Sequence, residues 1–265
     1  MHNAAFEAAG IDGRYELLEL DEAEVPGAVA AARGPDFLGL GVTAPYKPLV
    51  SSLVDEVEDE ALAIGAVNNV VRTDDGRLVG INTDAPGFRV GAELAMGRPL
   101  GDDLDVVVVG AGGVARAIVR VLLGVRRLTI ANRTVESARA LASRYRDGGG
   151  AATTATGLDE PAFDEALAEA DLVVNATTVG MIDGGVSFSV VGLRDDATVF
   201  DCVYVPAETP LLAAARARGL RAANGSEMLI AQAAIAFERW TGVGGMAGVM
   251  REAVAPLLAD PAVRA

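Results

Sequence analysis

Residues Asp105-Val106-Val107-Val108-Val109 are followed at once by Gly110-Ala111-Gly112-Gly113, and then by an amphipathic stretch running to about Leu123. No other segment restricts the fold as tightly. Four consecutive valines are β-branched and apolar on both faces, the pattern of a strand covered from each side, as in a parallel sheet. Glycines at the end of such a strand permit a tight turn, and the periodic run after them reads as the crossover helix of a βαβ unit. The alternation continues with Arg127 to Ala131 as a strand, about 135–145 as a helix, Asp171 to Asn175 and Thr198 to Val203 as strands, about 209–218 as a helix and Leu220 to Ala223 as a strand. This predicts a doubly wound, Rossmann-type parallel sheet. Gly148-Gly149-Gly150 and the Ala/Thr run after it read as a surface connection.

A second α/β pattern precedes it. Helical Ala-rich stretches at about 2–9 and 24–33 alternate with strand-like Tyr15 to Leu20, Phe37 to Val42, Ala66 to Arg72 and Leu78 to Ile81, and a helix is expected at about 85–96. The stretch Gly97 to Leu104 reads as a linker. The expected organisation is therefore two domains, 1–97 and 98–225. Helices at about 226–240 and 246–259, within 226–265, have no strand to follow them and are expected to pack back on the first domain.

Composition narrows the function classes. The 265 residues are 51% hydrophobic, enough for sizeable cores, and carry 22 basic against 37 acidic residues, a net charge of −15. A surface this acidic disfavours nucleic acid, whose binding rests on basic side chains that displace counterions. Abundant acid with almost no lysine fits a salt-rich cytoplasm, and a codon bias toward Arg fits the missing lysines equally well. No run of apolar residues is long enough to span a membrane and no secretory leader is evident, so a cytoplasmic location is expected. The single cysteine, Cys202, excludes an internal disulfide and reads as a small buried hydrophobe. His2 lacks partners at ligand spacing, and no metal site is expected.

The glycine loop sits where a dinucleotide site requires it, between strand and helix. Gly110, Ala111, Gly112, Gly113, Val114 and Ala115 would let the backbone approach a pyrophosphate held on the N–H groups of the helix N-terminus. Ala117 in place of the last glycine still allows close helix packing. The next strand ends in Asn132-Arg133-Thr134. A guanidinium and a hydroxyl suit a ribose 2′-phosphate, and no carboxylate is present to repel it, so NADP is expected over NAD. Arg133 as an ordinary surface charge and Thr134 as a helix N-cap are the competing readings.

Lys47 is the only lysine; every other basic side chain is arginine. Arginine stays cationic, whereas a lysine amine can release and recover a proton, so a lone lysine marks a position where proton transfer forbids the exchange. Chance survival on a solvated loop is the alternative.

Together these motifs carry a resemblance. Val42-Thr43-x-Pro45-x-Lys47, Gly65-Ala66-Val67-Asn68, Asn82-Thr83-Asp84-x-x-Gly87, the Gly110 loop with Asn132-Arg133-Thr134, Asn175-Ala176-Thr177, Asp201-x-x-Tyr204-x-Pro206-x-x-Thr209-Pro210-Leu211 and Asn224-Gly225-x-x-Met228-Leu229-x-x-Gln232 occur in the order found in shikimate dehydrogenases. The chain resembles that family along nearly its whole length. The resemblance implies reversible, NADPH-dependent reduction of 3-dehydroshikimate to shikimate in aromatic biosynthesis, with 1–97 as the substrate-binding and catalytic domain and 98–225 as the NADP domain. Lys47 and Asp84 match the catalytic pair, which suits ketone reduction because a proton donor must serve the oxygen as hydride reaches carbon. Thr43, Asn68, Tyr204 and Gln232 match substrate-binding positions. Asn175, Ala176, Thr177, Gly225 and Met228 match positions lining the nicotinamide half.

The departures are few. In the family a strand, a Gly-Pro loop and a substrate-binding Ser-x-Ser pair precede the His-Asn-Ala-Ala-Phe that here begins at His2; in-frame upstream sequence encoding them is expected. Gly41 stands where an asparagine is usual, and Asn69 where a threonine usually follows Asn68. Close rivals are a quinate or aminoshikimate dehydrogenase, an NAD-using form, and a non-catalytic regulatory paralogue. The expected partners are a small-molecule substrate only, with no nucleic acid or membrane, in a monomer or homodimer.

Overall fold

The structure, a computed structural model, describes residues 1–145, 151–182 and 184–259. The chain divides into two compact units: Met1–Gly87 with Ile230–Ala255, and Phe88–Leu229 with the described residues from Pro256 on. The division falls inside a helix rather than in the Gly97 to Leu104 stretch.

The first unit runs α1 (His2–Ala9), α2 (Val25–Ala31), β1 (Gly39–Gly41), α3 (Lys47–Ser51), β2 (Glu56–Val57), α4 (Asp59–Ile64), β3 (Asn69–Arg72) and β4 (Leu78–Ile81). Its sheet has the order β1-β3-β4-β2, with β3 antiparallel to both β1 and β4 and β2 parallel to β4. Val67, Val70 and Leu78 are fully buried and pack with Val25, Val29, Val50 and Ala61 from the helices, which fixes one face of this sheet against them. Pro26 near the start of α2 has the φ a first turn needs, and Gly10 and Gly65 close α1 and α4 in the left-handed conformation.

Helix α5 (Asp84–Met96) leaves the first unit after Gly87. Its Phe88, Ala92 and Met96 are buried in the core of the second unit, which is why the division precedes the linker. The second unit continues with β5 (Asp105–Val109), α6 (Gly113–Val121) and a 3₁₀ turn at Leu122–Gly124. Then follow β6 (Arg127–Asn132), α7 (Val135–Ser143), β7 (Ala152–Gly157), α8 (Pro161–Glu169), β8 (Leu172–Asn175), β9 (Thr198–Asp201), α9 (Pro210–Ala217) and β10 (Arg221–Asn224). Helix α10 (Ser226–Thr241) carries the chain back to the first unit, and α11 (Ala247–Ala259) follows.

All six strands of the second sheet are parallel, in the order β10-β9-β8-β5-β6-β7. This is the doubly wound sheet expected. Val106, Val107, Val108 and Val109 are 0–2% exposed and divide between two cores on opposite faces, each contributing about 1.5–3 kcal/mol by burial.

Two expectations need correction. Tyr15 to Leu20 is not a strand: among the described residues no strand pairs with it, Leu17 is 86% exposed, and the segment is tied to α1 by Asn3, whose side chain both donates to the Tyr15 carbonyl and accepts from its N–H. Apolar composition without a neighbouring backbone does not make a strand. The Ala/Thr run is no connection but β7, an edge strand in register with β6 from Arg127↔Ala152 to Asn132↔Gly157. Gly148-Gly149-Gly150 lies outside the described residues.

Candidate active site

The first unit's site forms where β4 turns into α5. Asn82 accepts the Ala85 N–H on Oδ1 at 3.1 Å and so caps α5, while its amide donates to the Ala66 carbonyl at 2.9 Å. Asp84 is thereby released from capping, and its carboxylate sits at the positive end of the helix. Lys47, the first residue of α3, donates from Nζ to Asp84 Oδ2 at 2.6 Å; the two side chains are only 16% and 12% exposed. The backbone that delivers Lys47 is held by the Val42 N–H on the Asn68 carbonyl at 2.8 Å, and passes through a cis Ala44–Pro45 bond.

Asn68 has its amide orientation set by the main chain. Its Oδ1 accepts the Thr83 N–H at 2.8 Å, so Nδ2 is left to donate to Asp84 Oδ1 at 2.8 Å and to Thr83 Oγ1 at 3.1 Å. Both oxygens of Asp84 are thus engaged, one by a cation and one by a neutral donor. Thr83 Oγ1 also accepts from Asn69 Nδ2 at 2.8 Å and donates to Gln232 Oε1 at 3.1 Å. The structure therefore brings Lys47, Asp84, Asn68 and Gln232 into one hydrogen-bonded group. Thr43 is exposed on the loop before α3, and its carbonyl accepts the Tyr46 N–H. Tyr204 belongs to the second unit, on the loop after β9.

In the second unit the glycine loop fits a dinucleotide. Gly110 has φ 120°, and a Cβ there would meet the Ala176 carbonyl oxygen at 2.8 Å, so the turn itself requires glycine. Gly112 and Gly113 have nothing within 4 Å of a Cβ position, which leaves open space over the loop, and no side chain caps α6. The N–H groups around Gly113, Val114 and Ala115 at the helix N-terminus are of the kind that could hold pyrophosphate oxygens there. Ala111 packs against the core beside them. Arg133 and Thr134 are exposed at the end of β6. Thr134 is the N-cap residue of α7, as the competing reading has it, but makes no side-chain capping bond, and Asn132 donates to its carbonyl at 2.9 Å.

A buried carboxylate organises the loops after β8 and β9. Asp201, fully buried, accepts from Thr209 Oγ1 at 2.6 Å, Asn175 Nδ2 at 2.8 Å and the Val203 N–H at 3.0 Å. Burial pushes its carboxyl above the usual range, opposed by those three bonds. Asn175 Oδ1 in turn accepts from the Thr177 hydroxyl at 2.7 Å, so the Asn175 side chain is committed to the protein. Gly225 is pressed against Cys202, where a Cβ would meet the Cys202 carbonyl oxygen at 2.3 Å, and Met228 is buried in the core with Phe200. Among the described residues no cluster of His, Cys, Asp and Glu is placed to hold a metal, and no helix is long and apolar enough to cross a membrane.

Residues 1–70 match the shikimate dehydrogenase substrate binding domain, 97–181 the shikimate/quinate 5-dehydrogenase family and 225–255 the shikimate 5'-dehydrogenase C-terminal domain. A shikimate dehydrogenase (NADP(+)) from Carboxydothermus hydrogenoformans is 39% identical over 260 residues, covering 96% of this chain and 90% of the relative. The chain belongs to the shikimate dehydrogenase family. The Thermus thermophilus shikimate 5-dehydrogenase, solved with NADP(H) and shikimate, superposes with a TM-score of 0.83 at 36% identity, over 96% of this chain and 92% of that one. A Corynebacterium glutamicum quinate dehydrogenase in complex with NAD gives a TM-score of 0.86 at 38% identity, over 96% and 92%.

For this shikimate dehydrogenase family member, sequence reasoning did not assign Asn82, Thr83 and Asn69, which the structure places in or beside the first unit's hydrogen-bonded group, or Asp201, which organises loops of the second unit. Asn82, Thr83, Asn69 and Asp201 each lie inside or beside a recognised motif, and that adjacency was the available signal. Their roles depend on which partner each side chain reaches, and spacing does not encode that.

Proposed function

We propose that the protein is an NADP-dependent shikimate dehydrogenase, reversibly reducing 3-dehydroshikimate to shikimate. The observation that carries this is the Lys47–Asp84 pair, closed on its other side by Asn68, in a chain of this family. NADPH, when bound, supplies the hydride to the ketone carbon. The Lys47 ammonium donates a proton to the ketone oxygen as negative charge develops there, and in the reverse direction the amine takes the hydroxyl proton. Asp84 holds Lys47 Nζ on Oδ2 and is itself fixed by Asn68 on Oδ1, so the donor has one geometry. Thr43, Asn68, Gln232 and Tyr204 are assigned to the substrate's hydroxyls. Short polar groups of this kind discriminate among polyols because a mismatched ligand leaves one of them unpaired.

Gly110, Gly112, Gly113, Val114 and Ala115 are assigned to the pyrophosphate, and Arg133 with Thr134 to the 2′-phosphate. Asn175, Ala176, Thr177, Gly225 and Met228 are assigned to shaping the nicotinamide half from the protein side. Asn132-Arg133-Thr134 carries no carboxylate to hold a free 2′-hydroxyl, which favours NADP over NAD. A domain division into substrate and NADP parts, a cytoplasmic location, a monomer or homodimer, and no nucleic-acid partner complete the proposal. The test follows absorbance of NADPH and of NADH with 3-dehydroshikimate and with 3-dehydroquinate. Turnover is expected chiefly with NADPH and 3-dehydroshikimate; preference for NADH with 3-dehydroquinate, or tight binding without turnover, overturns it.

A further inference from the structure

Thr83 carries a single hydroxyl, with one proton to give and two lone pairs to fill. One lone pair is taken by Asn68 Nδ2 at 3.1 Å, and that amide cannot turn over, because its Oδ1 holds the Thr83 N–H and its Nδ2 also serves Asp84. The second lone pair is taken by Asn69 Nδ2 at 2.8 Å. The Thr83 proton then has two acceptors in range, Asn68 Oδ1 at 3.5 Å, already occupied, and Gln232 Oε1 at 3.1 Å. The shorter, unoccupied acceptor wins. Gln232 is thereby held with Oε1 inward, which turns its Nε2 hydrogens outward as donors.

We propose that Asn69 is a positioning residue that fixes, through the Thr83 hydroxyl, which end of the Gln232 amide faces the substrate. Asn69 is 3% exposed, begins β3, and lies directly across the ladder from Gly41. A Cβ at Gly41 would lie 2.6 Å from the Tyr15 hydroxyl, the movable end of a side chain, and 3.8 Å from Asn69 Oδ1. Removing the Asn69 donor empties one lone pair of Thr83. Its hydroxyl can then accept from Gln232 Nε2 instead of donating to Oε1, and the amide is free to turn, presenting an acceptor outward. Gln232 so arranged selects a ligand group that accepts a hydrogen bond, and Asn69 enforces that selection without touching the ligand. The proposal rests on the assignment of Gln232 to the substrate.

Gln232 is the only glutamine in the chain, so labelling with side-chain ¹⁵N-glutamine gives one amide resonance pair. In the free wild-type protein both Nε2 hydrogens are expected to exchange rapidly with water. In Asn69→Leu one of them shifts downfield and slows, as it becomes the donor to Thr83; Asn69→Thr, which keeps a donor, returns the wild-type spectrum. Asn69→Ala serves in place of the leucine variant where leucine prevents folding. Kinetics give the second readout: the KM for 3-dehydroshikimate rises roughly tenfold, the loss of one directed hydrogen bond. kcat and the KM for NADPH stay within about twofold. Gln232→Ala raises KM less in the Asn69→Leu background than in wild type, an interaction that independent structural damage would not produce. An unchanged Gln232 spectrum in Asn69→Leu, or strictly additive KM effects, overturns the proposal. A wild-type protein that fails to reduce 3-dehydroshikimate overturns the function instead, while the spectrum still reads the Asn69–Thr83–Gln232 arrangement.

Discussion

Replacing Asp201 separates the carboxylate's hydrogen bonding from its charge. In Asp201→Ala three buried donors, the Thr209 hydroxyl, the Asn175 amide and the Val203 N–H, lose their acceptor together. At about 1–3 kcal/mol for each unsatisfied group the sum is large. The Asn175 amide keeps a weak alternative in the Val179 carbonyl at 3.4 Å, and the loss of a buried charge returns part of the desolvation energy, so a net cost of about 4 kcal/mol is expected. Asp201→Asn differs. Its Oδ1 still accepts from Asn175 and Val203, and its amide faces Thr209 Oγ1, a hydroxyl that can turn and accept, so the cost is about 1 kcal/mol.

The pH dependence has a definite sign. Burial raises the folded-state pKa of Asp201 above 3.8, so its stability contribution is present below that value and is lost as pH rises through the folded pKa. The asparagine variant does not titrate there and is therefore relatively more stable at pH 7 than at pH 4. Asp105, held down by Arg127 and Arg126, loses stability as pH falls through its own low pKa, but it does so in both proteins and cancels in the difference. Urea denaturation at the two pH values measures this. The reasoning is refuted if Asp201→Asn is as damaging as Asp201→Ala, or if its deficit relative to wild type grows from pH 4 to pH 7.

Two further predictions concern the second unit. Gly110→Ala forces a positive φ on a residue with a Cβ and drives it into the Ala176 carbonyl, costing about 1–3 kcal/mol in strain and lowering Tm. Gly112→Ala meets no atom within 4 Å, so its Tm is unchanged while its Kd for NADPH, read by fluorescence titration, rises about tenfold as the methyl enters the pyrophosphate space. Arg133→Ala is expected to raise the Kd for NADPH by roughly 10- to 100-fold, the value of a charge-assisted contact, and to leave NADH binding unchanged.

The second sheet was largely legible because its central strands β5 and β8 are apolar runs covered on both faces. Asp105–Val109 coincides with its expected limits and every helix expected in the second unit forms; in the first unit Leu78–Ile81 is likewise a strand over its expected limits. β7 was not, because an edge strand of Ala and Thr with alternating exposure has the composition of a loop until its neighbour supplies the ladder. Tyr15 to Leu20 failed in the opposite way, having strand-like composition and no partner among the described residues. For the site, motif order identified Lys47 and Asp84. The capping of α5 by Asn82, which frees Asp84, and the bond between Thr83 and Gln232, separated by 149 positions, belong to the folded chain alone.

The central claim is that Lys47 transfers the proton, and its most direct test is kcat for Lys47→Ala and Lys47→Arg with 3-dehydroshikimate and NADPH. Both are expected to lose roughly 100- to 10,000-fold, because alanine has no proton to give and arginine does not release one at neutral pH. The KM for NADPH should stay within about twofold. A kcat within about tenfold of wild type in the alanine variant, or restored activity in the arginine variant, contradicts the account.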